Sequence, residues 1–185
     1  MPSLEKTIIE KILTEKNNTY QTFIETGTLH GDTIFAMEDL FNKLYTIEIF
    51  ELNYNNTKNK YNGDKIKFLL GDSSIVLSEL LPNINENAIF FLDGHYSSTG
   101  TGFGQKHVPL YEELELINKL HTKKAIIIID DFRLFKTLDG GVCDWTNINK
   151  ETVLQILKNR MERIYHLPST HHPEDRLIIE LKNII

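Results

Sequence analysis

The stretch Ala125-Ile-Ile-Ile-Ile-Asp-Asp131 decides the fold of this 185-residue chain. Its apolar run predicts a strand covered on both faces, because a half-exposed strand would alternate apolar with polar residues. The stretch Ala88-Ile-Phe-Phe-Leu-Asp93 has the same character, with an apolar run followed by an aspartate. Strands of this kind are typical of parallel sheets that have helices on both faces.

The segments on either side alternate between helix and strand patterns. Apolar periodicity predicts helices at 4–16, 32–42, 51–60, 73–81, 109–121 and 150–161. Ser3 is the expected N-cap of the first helix. Further strands are predicted at 20–25, 43–49 and 65–70, and a closing pair at 163–167 and 176–181. This order predicts an α/β fold, a Rossmann-like doubly wound sheet between two helical layers.

The composition limits the kind of protein. The chain has 26 acidic and 20 basic side chains and a formal net charge of −6, whereas proteins that grip a phosphate backbone are usually basic. Its one cysteine, Cys143, can form neither an internal disulfide nor a thiolate metal site. No apolar run is long enough for a membrane span or a signal peptide. We therefore expect one cytoplasmic domain over residues 1–185, with an N-terminal helix inside 1–19, that binds neither nucleic acid nor membranes.

Acidic side chains stand at the carboxyl end of every predicted parallel strand. In open α/β sheets, ligands bind beyond these strand ends. The acids at this edge are Glu25, Glu48, Asp72, Asp93, Asp130 and Asp131. Such a concentration of negative charge favours a ligand with hydroxyls, amines or positive charge, or a metal ion.

The first strand-to-helix turn reads Glu25-Thr-Gly27-Thr28-Leu-His-Gly31. Its glycines let the backbone approach a ligand closely. The spacing differs from the G-x-G-x-x-G pattern that holds a pyrophosphate, and the acid would repel a diphosphate but attract an ammonium group. The alternative is an ordinary turn that Asp32 or Thr33 caps.

Glu48 and Asp72 follow the second and third predicted strands. Glu48, roughly twenty residues after the turn, could accept hydrogen bonds from both hydroxyls of a ribose, or could be a solvated acid. Asp72 could bind an adenine amino group, or could cap the helix that begins at Ser73.

Asp93 and the pair Asp130-Asp131 form the sharpest pattern. Adjacent strands would bring these three carboxylates together, where they raise each other's pKa unless a cation is bound. Hard oxygen ligands suit Mg²⁺, Mn²⁺ or Ca²⁺. The alternative is that Arg133 or a lysine neutralises the pair.

Together these residues resemble the class I S-adenosylmethionine (SAM)-dependent methyltransferases over nearly the whole chain. The first turn matches that family's E/D-x-G-x-x-x-G motif, which lines the methionine part of the cofactor. Glu48 and Gly71-Asp72-Ser73 fall where the family has its ribose-binding and adenine-contacting acids. The segments Phe91-Leu-Asp93-Gly-His95-Tyr96 and Ile129-Asp-Asp-Phe132 are similar to the metal-dependent O-methyltransferases, and most of all to the macrocin- and novobiocin-type enzymes.

The resemblance implies a sheet, a reaction and a set of site residues. The sheet would have seven strands, mostly parallel, with the last strand antiparallel. The reaction would be O-methylation of a small hydroxylated acceptor such as a sugar or a glycosylated metabolite. Cofactor contacts would come from Glu25, Gly27, Thr28, Gly31, Glu48, Asp72, Ser73 and Asp93, and Mg²⁺ or Mn²⁺ would bind Asp93, Asp130 and Asp131. Many relatives are dimers, so a homodimer is an open expectation.

His95 and the loop 94–107 complete the set of expectations. In the family a base often lies two or three residues after the first metal aspartate, and that offset gives His95, so that His95 and Asp93 are the catalytic candidates. Relatives often have aspartate or lysine at that offset, and the alternative is a histidine that contacts cofactor or substrate without proton transfer. The glycine-rich loop 94–107 is a candidate lid, or a connection without a role.

Proteins of other classes provide the alternatives. A nucleotide-cofactor oxidoreductase needs the glycine spacing that is missing here. A nucleic-acid N-methyltransferase often has D-P-P-Y where this chain has Asp93-Gly-His-Tyr96. A non-catalytic module that binds SAM or a metal ion without turnover would show the same residues.

Overall fold

The computed structural model describes residues 3–139 and 142–184, so the outermost residues of the expected segments 1–19 and 1–185 lie outside the described part. Seven strands form the main sheet: β1 (Thr22–Thr26), β2 (Lys43–Glu48), β3 (Ile66–Leu70), β4 (Ala88–Leu92), β5 (Ala125–Ile129), β8 (Met161–Leu167) and β9 (Arg176–Leu181). A separate ribbon pairs β6 (Leu138–Asp139) with β7 (Cys143–Asp144). The helices are α1 (Lys6–Glu15), α2 (Asp32–Ala36), α3 (Glu51–Lys58), α4 (Ser73–Leu80), α5 (Leu110–Leu120) and α6 (Lys150–Leu157).

The strand order confirms the expected doubly wound sheet. The order is β3-β2-β1-β4-β5-β9-β8, and β1 to β5 are parallel, whereas β9 is antiparallel to both of its neighbours. The chain moves outward from β1 to β3 and then returns to β4 on the other side of β1. Ligands bind at this kind of reversal in open α/β sheets, because the connections there leave in opposite directions and open a crevice.

The apolar strands are buried from both sides, as their composition predicts. Ile127 and Ile129 of β5 pack in a core with α4, α5 and α6, whereas Ile126 and Ile128 pack in a second core with α1 and α2. Burying each of these side chains contributes about 1.5–3 kcal/mol. The two cores hold the strand ends of β1, β4 and β5 in fixed positions at one edge.

Several local details differ from the sequence-based expectations. The predicted helix 150–161 ends at Leu157, and Met161 already belongs to β8. Ser3 does not cap α1: Glu5 holds the N-cap position, and the Ser3 backbone N–H donates to Thr33 Oγ1 at 3.1 Å. The predicted helix 32–42 ends at Ala36, because the following N–H groups bond to carbonyls three residues back and wind the chain into tight turns. The ribbon of β6 and β7 was not predicted, since two-residue strands leave no periodicity. Among the described helices, none has the length and apolarity that crossing a membrane requires.

Candidate active site

A cavity lies beyond the carboxyl ends of β1, β2, β3 and β4. Its lining includes Gly27, Glu48, Asp72 and Ser73 from the predicted cofactor set, together with His95. These residues come from four separate strand ends, and the reversal between β1 and β4 brings them to one crevice. The cavity therefore lies where open α/β sheets bind their ligands.

Glu48 is buried, and each of its carboxylate oxygens accepts a hydrogen bond from a backbone N–H. Its Oε2 accepts from the Leu29 N–H and its Oε1 from the Phe50 N–H, each at 2.8 Å. Both bonds hold turns that border the cavity, so Glu48 is not merely a solvated acid. An ionised carboxylate has about four acceptor sites, which leaves acceptor capacity for the hydroxyls of a ligand.

Asp72 serves as a helix cap at the cavity wall. Its Oδ1 accepts from the Ser74 N–H at 2.9 Å and from the Ser74 hydroxyl at 2.6 Å, which caps α4. Its Oδ2 faces the loop 94–107, where the Gln105 N–H lies 3.4 Å away. The capping role that the sequence offered as an alternative is therefore present, and it leaves Oδ2 on the side of the loop.

Glu25 lies below the cavity and belongs to a buried polar chain. Its Oε2 accepts from the Thr46 hydroxyl at 2.6 Å, and Thr46 Oγ1 lies 2.5 Å from Thr28 Oγ1. Burial raises the pKa of Glu25 to about 8. Glu25 and Thr28 are absent from the cavity lining, so in this structure they shape the turn from beneath.

The two glycines of the first turn have different surroundings. Gly27 has a φ of +85°, and a methyl group added to it would collide with the Asp93 carbonyl, so only glycine lets β1 and β4 approach at this point. Gly31 has a φ of +82° at the N-cap of α2, and an added methyl would collide with Thr57 and Phe35. Gly31 is not in the cavity lining, and neither Asp32 nor Thr33 caps the helix as the alternative expected.

His95 lies between two aspartates at the inner end of the cavity. Its Nδ1 is 3.5 Å from Asp93 Oδ1, and its Nε2 is 3.3 Å from Asp131 Oδ2. One donor atom from each of the three residues lies within 4.8 Å of the others. Two carboxylates and an imidazole at this separation are a donor set that fits a divalent cation.

Arginines face the outer side of the aspartate pair. Arg133 Nη1 lies 2.5 Å from Asp131 Oδ1 and 2.5 Å from Asp175 Oδ2. Arg176 is buried, and its Nε lies 3.5 Å from Asp130 Oδ1. The sequence left open whether Arg133, rather than a metal ion, neutralises the aspartate pair. In the structure Arg133 pairs with one oxygen of Asp131. Its other oxygen faces His95, whereas Asp130 groups with Asp131 and Asp175 rather than with Asp93.

At the inner end of the cavity, burial and neighbouring negative charges raise the pKa values of Asp93 and Asp130. Burial raises the pKa of Asp93 well above its ordinary range, and the charges of Asp130 and Asp131 raise it further. Burial and Asp131 raise the pKa of Asp130 to about 7, against the opposing effect of Arg176. A cation bound among these groups would relieve their mutual repulsion.

The loop 94–107 covers the outer part of the cavity. Asn53 Nδ2 of α3 donates to the Gly100 carbonyl at 2.9 Å. Gly102 packs so closely on Ile49, and Gly104 on Asp72, that a methyl group at either glycine would collide with its neighbour. Sequence reasoning named the loop but missed Asn53 and Ile49, since an asparagine in a polar helix and an isoleucine after a strand carry no distinctive signal.

Trp145 is a further residue whose place only the structure shows. It is buried, and its ring packs edge-on against the His95 ring with centroids 5.1 Å apart. Trp145 also stacks on Phe135 at 5.9 Å. The indole therefore packs against one side of the imidazole and restricts its position.

Comparisons with known proteins bear on the fold. Neither protein-family models nor curated proteins give a match. Among solved structures, the chain is similar to a SAM-dependent methyltransferase from Clostridium acetobutylicum, with a TM-score of 0.58, 13% identity, and 95% of this chain and 89% of the other covered. The chain shares the fold of this protein.

Two further solved structures share this fold. One, from Staphylococcus aureus, is assigned as a caffeoyl-CoA O-methyltransferase, with a TM-score of 0.61, 13% identity and coverage of 98% and 86%. The other is the N-methyltransferase NodS from Bradyrhizobium japonicum in complex with S-adenosylhomocysteine (SAH), with a TM-score of 0.56, 12% identity and coverage of 97% and 85%. At these identities the likeness establishes the architecture, and the chemistry has to be argued from the site.

Proposed function

We propose that this chain is a SAM-dependent methyltransferase that transfers a methyl group to a hydroxyl oxygen of a small acceptor. One observation carries the proposal: His95 lines the cavity together with Gly27 and Glu48, and it also belongs to the cluster of Asp93, His95 and Asp131. The cofactor crevice and the cluster of acid–base and ligand groups thus meet at His95. The fold that the chain shares with methyltransferases, one of them bound to SAH, supports this reading.

The cofactor would lie along the cavity from Asp72 to Asp93. Glu48 would accept hydrogen bonds from the ribose hydroxyls, and Asp72 with Ser73 would border the adenine. Gly27 lets the methionine part pass over the β1 turn. In this placement Glu25, Thr28 and Gly31 act by holding the turn, and the loop 94–107 covers the bound cofactor as a lid.

The inner cluster would hold Mg²⁺ or Mn²⁺. Asp93 and Asp131 offer the carboxylate oxygens that lie beside His95, while Asp130, the third ligand of the sequence-based set, adds charge from beside Arg176. When bound, the ion would supply Lewis-acid catalysis by lowering the pKa of a nearby acceptor hydroxyl.

His95 and the cavity walls would carry out the remaining steps. The imidazole would take the proton of the acceptor hydroxyl, and bound SAM would supply the methyl group that this oxygen accepts, leaving SAH. The cavity walls would hold the two reactants together, which supplies much of the rate. Trp145 fixes the His95 ring so that the proton acceptor stays beside this hydroxyl. A sugar or glycosylated metabolite suits the site, since its hydroxyls can be held by carboxylates.

The first experiment is calorimetric titration of SAM and SAH into the purified chain, with and without Mg²⁺. We expect micromolar binding that Glu48→Ala weakens about 10- to 100-fold, because the variant loses charge-assisted hydrogen bonds. Glu51→Ala, an exposed acid three residues later, is the matched control and should bind as wild type. Absence of binding to both SAM and SAH would contradict the proposed function.

A further inference from the structure

Glu113 of α5 is a buried acid that the site described so far does not use. Its side chain is 1% exposed, although it belongs to a helix whose neighbouring acids Glu112 and Glu115 are not buried. Its Oε1 accepts from the Ser73 hydroxyl at 2.5 Å. Placing a carboxyl in a core costs free energy unless partners compensate it, so a buried acid beside a ligand cavity indicates a role there.

The same carboxyl lies against the first residues of the loop 94–107. A methyl group built on Gly94 would lie 3.2 Å from Glu113 Oε1 and 3.0 Å from Thr26 Oγ1, so the Gly94 backbone packs directly on both side chains. The base of the covering loop at Gly94 therefore lies against the Glu113 carboxyl.

Three chain segments that border the cavity thus meet at one side chain. They are the end of β1 at Thr26, the β3–α4 turn at Ser73, and the base of the covering loop at Gly94. Ser73 and Gly94 line the cavity itself. Glu113 touches both from behind, so its carboxyl fixes the distance between the adenine side of the cavity and the side of the inner cluster.

We propose that Glu113 is a positioning residue for the cofactor, holding Ser73 and the base of the loop 94–107 in the places that bind it. The inference rests on the proposed SAM binding and adds a residue to it. Burial raises the pKa of Glu113 to about 7, against the hydrogen bond from the Ser73 hydroxyl, which lowers it. A glutamine at this position is neutral and of the same shape, and its amide oxygen can accept the hydrogen bond from the Ser73 hydroxyl. We therefore expect glutamine to substitute for Glu113, whereas leucine cannot accept this bond.

The test compares SAH affinity by calorimetry in wild type, Glu113→Gln, Glu113→Leu and Ser73→Ala. We expect Glu113→Leu to weaken SAH binding about 10-fold or more, and Glu113→Gln to stay within about threefold of wild type. Ser73→Ala should weaken binding less than Glu113→Leu, because it leaves the contact with Gly94 intact. The double variant Glu113→Leu/Ser73→Ala should be no weaker than Glu113→Leu alone, since both changes break the same hydrogen bond.

Glu180→Leu is the matched control for a purely structural effect. Glu180 is also a buried carboxyl, bonded to Lys16 Nζ at 2.6 Å, and it does not line the cavity. This variant should lower the urea midpoint of unfolding and leave the SAH dissociation constant unchanged. An equal loss of affinity in Glu180→Leu, or no rescue by Glu113→Gln, would overturn the proposal.

The remaining outcomes separate this proposal from the proposed function. If wild type and Glu113→Leu bind SAH equally well, only the role of Glu113 is refuted. Wild-type chain that binds neither SAM nor SAH refutes the proposed function, and the role of Glu113 with it. If Glu113→Leu does not fold, Ser73→Ala provides the test in its place. The proposal is overturned if Ser73→Ala binds SAH as tightly as wild type, both alone and combined with Glu113→Gln.

Discussion

The two halves of the carboxyl edge of the sheet compensate their acids in different ways. On the side of β2 and β3, Glu48 and Asp72 accept hydrogen bonds from backbone N–H groups of neighbouring turns. On the side of β5, Asp130 and Asp131 face the guanidinium groups of Arg176 and Arg133. The first half uses neutral donors that the local turns provide, whereas the second half uses full charges.

The difference indicates what each half can do. Carboxylates held by backbone donors are rigid and keep acceptor capacity for hydroxyls, which suits binding of a ribose and a base. Asp130 and Asp131 belong to a crowded group of buried acids, and Arg176 and Arg133 each lie beside only one oxygen of these carboxylates. The uncompensated side faces His95 and the cavity, which is where a cation or a proton would be most stabilised.

The largest effect is expected from Arg176→Met. This change leaves the Asp130 charge buried without its cation and also breaks the bonds of Arg176 to Glu5 and to the Pro168 carbonyl. Removing one partner of a buried pair costs about 3–5 kcal/mol, so urea unfolding should show a loss of that size. Lys6→Met, which breaks the exposed pair with Asp39, should cost less than about 1 kcal/mol.

A second substitution sharpens this test. Adding Asp130→Asn to Arg176→Met removes the stranded charge and should restore part of the lost stability. If the double variant is as unstable as the sum of the two single variants, Asp130 and Arg176 do not compensate each other, and the contrast between the two halves fails.

The next effect concerns metal binding at the inner cluster. Asp131→Asn removes the carboxylate that faces His95, so we expect Mn²⁺ affinity, followed by electron paramagnetic resonance, to fall about 100-fold or more. SAH affinity should stay within about threefold of wild type, because Asp131 does not line the outer cavity. Asp144→Asn, an exposed acid on β7, is the control that should leave Mn²⁺ affinity unchanged. Equal Mn²⁺ affinity in Asp131→Asn and wild type would remove the metal from the proposed mechanism.

A pH dependence of stability is expected from Glu25 of β1, between the two halves. Its pKa is about 8 in the folded chain against an ordinary 4.5, so between these values the folded state holds a proton that the unfolded state has lost. Stability from this group is therefore present at low pH and is lost as pH rises towards 8. From about pH 5.5 to 7.5, wild type should lose about 2 kcal/mol relative to Glu25→Gln in urea unfolding. A constant difference between the two proteins across this range would show that Glu25 is ionised in the folded chain.

The smallest effect is expected from the helix cap at Asp72. Asp72→Ala should cost about 1 kcal/mol in unfolding free energy, because α4 loses the bond from the Ser74 N–H. Asp72→Asn keeps a capping oxygen and should be nearly as stable as wild type. If Asp72 also borders the adenine, Asp72→Asn should still weaken SAH binding several-fold, which calorimetry can resolve. Unchanged affinity would reduce Asp72 to a cap.

Much of the fold follows from local patterns. The uninterrupted apolar runs of β4 and β5 identified buried parallel strands, and their bounds agree with the prediction. The acids that follow the strands could be located because parallel strand ends share one edge. Helix ends were less predictable. Helix α2 ends at Ala36 because of a change in backbone hydrogen bonding, and no residue in the sequence signals that change.

The arrangement inside the edge needed the tertiary structure. The sequence places Glu25 and Glu48 in the same kind of position, yet one is buried under the turn with Thr46 and the other lines the cavity. Asp130 and Asp131 are adjacent in the chain, but the left-handed backbone of Asp131, with a φ of 56°, points their carboxylates at different partners.

The sequence by itself determined the doubly wound sheet, the edge at which ligands bind and the acids that stand there, because burial and strand direction are written in local periodicity. Only the tertiary structure decided which acids face the cavity, which are neutralised by Arg133 and Arg176, and that Glu113 lies beneath it. The reason is physical: these outcomes depend on side chains from α5, β9 and distant loops, and no short-range pattern encodes contacts between segments so far apart in the chain.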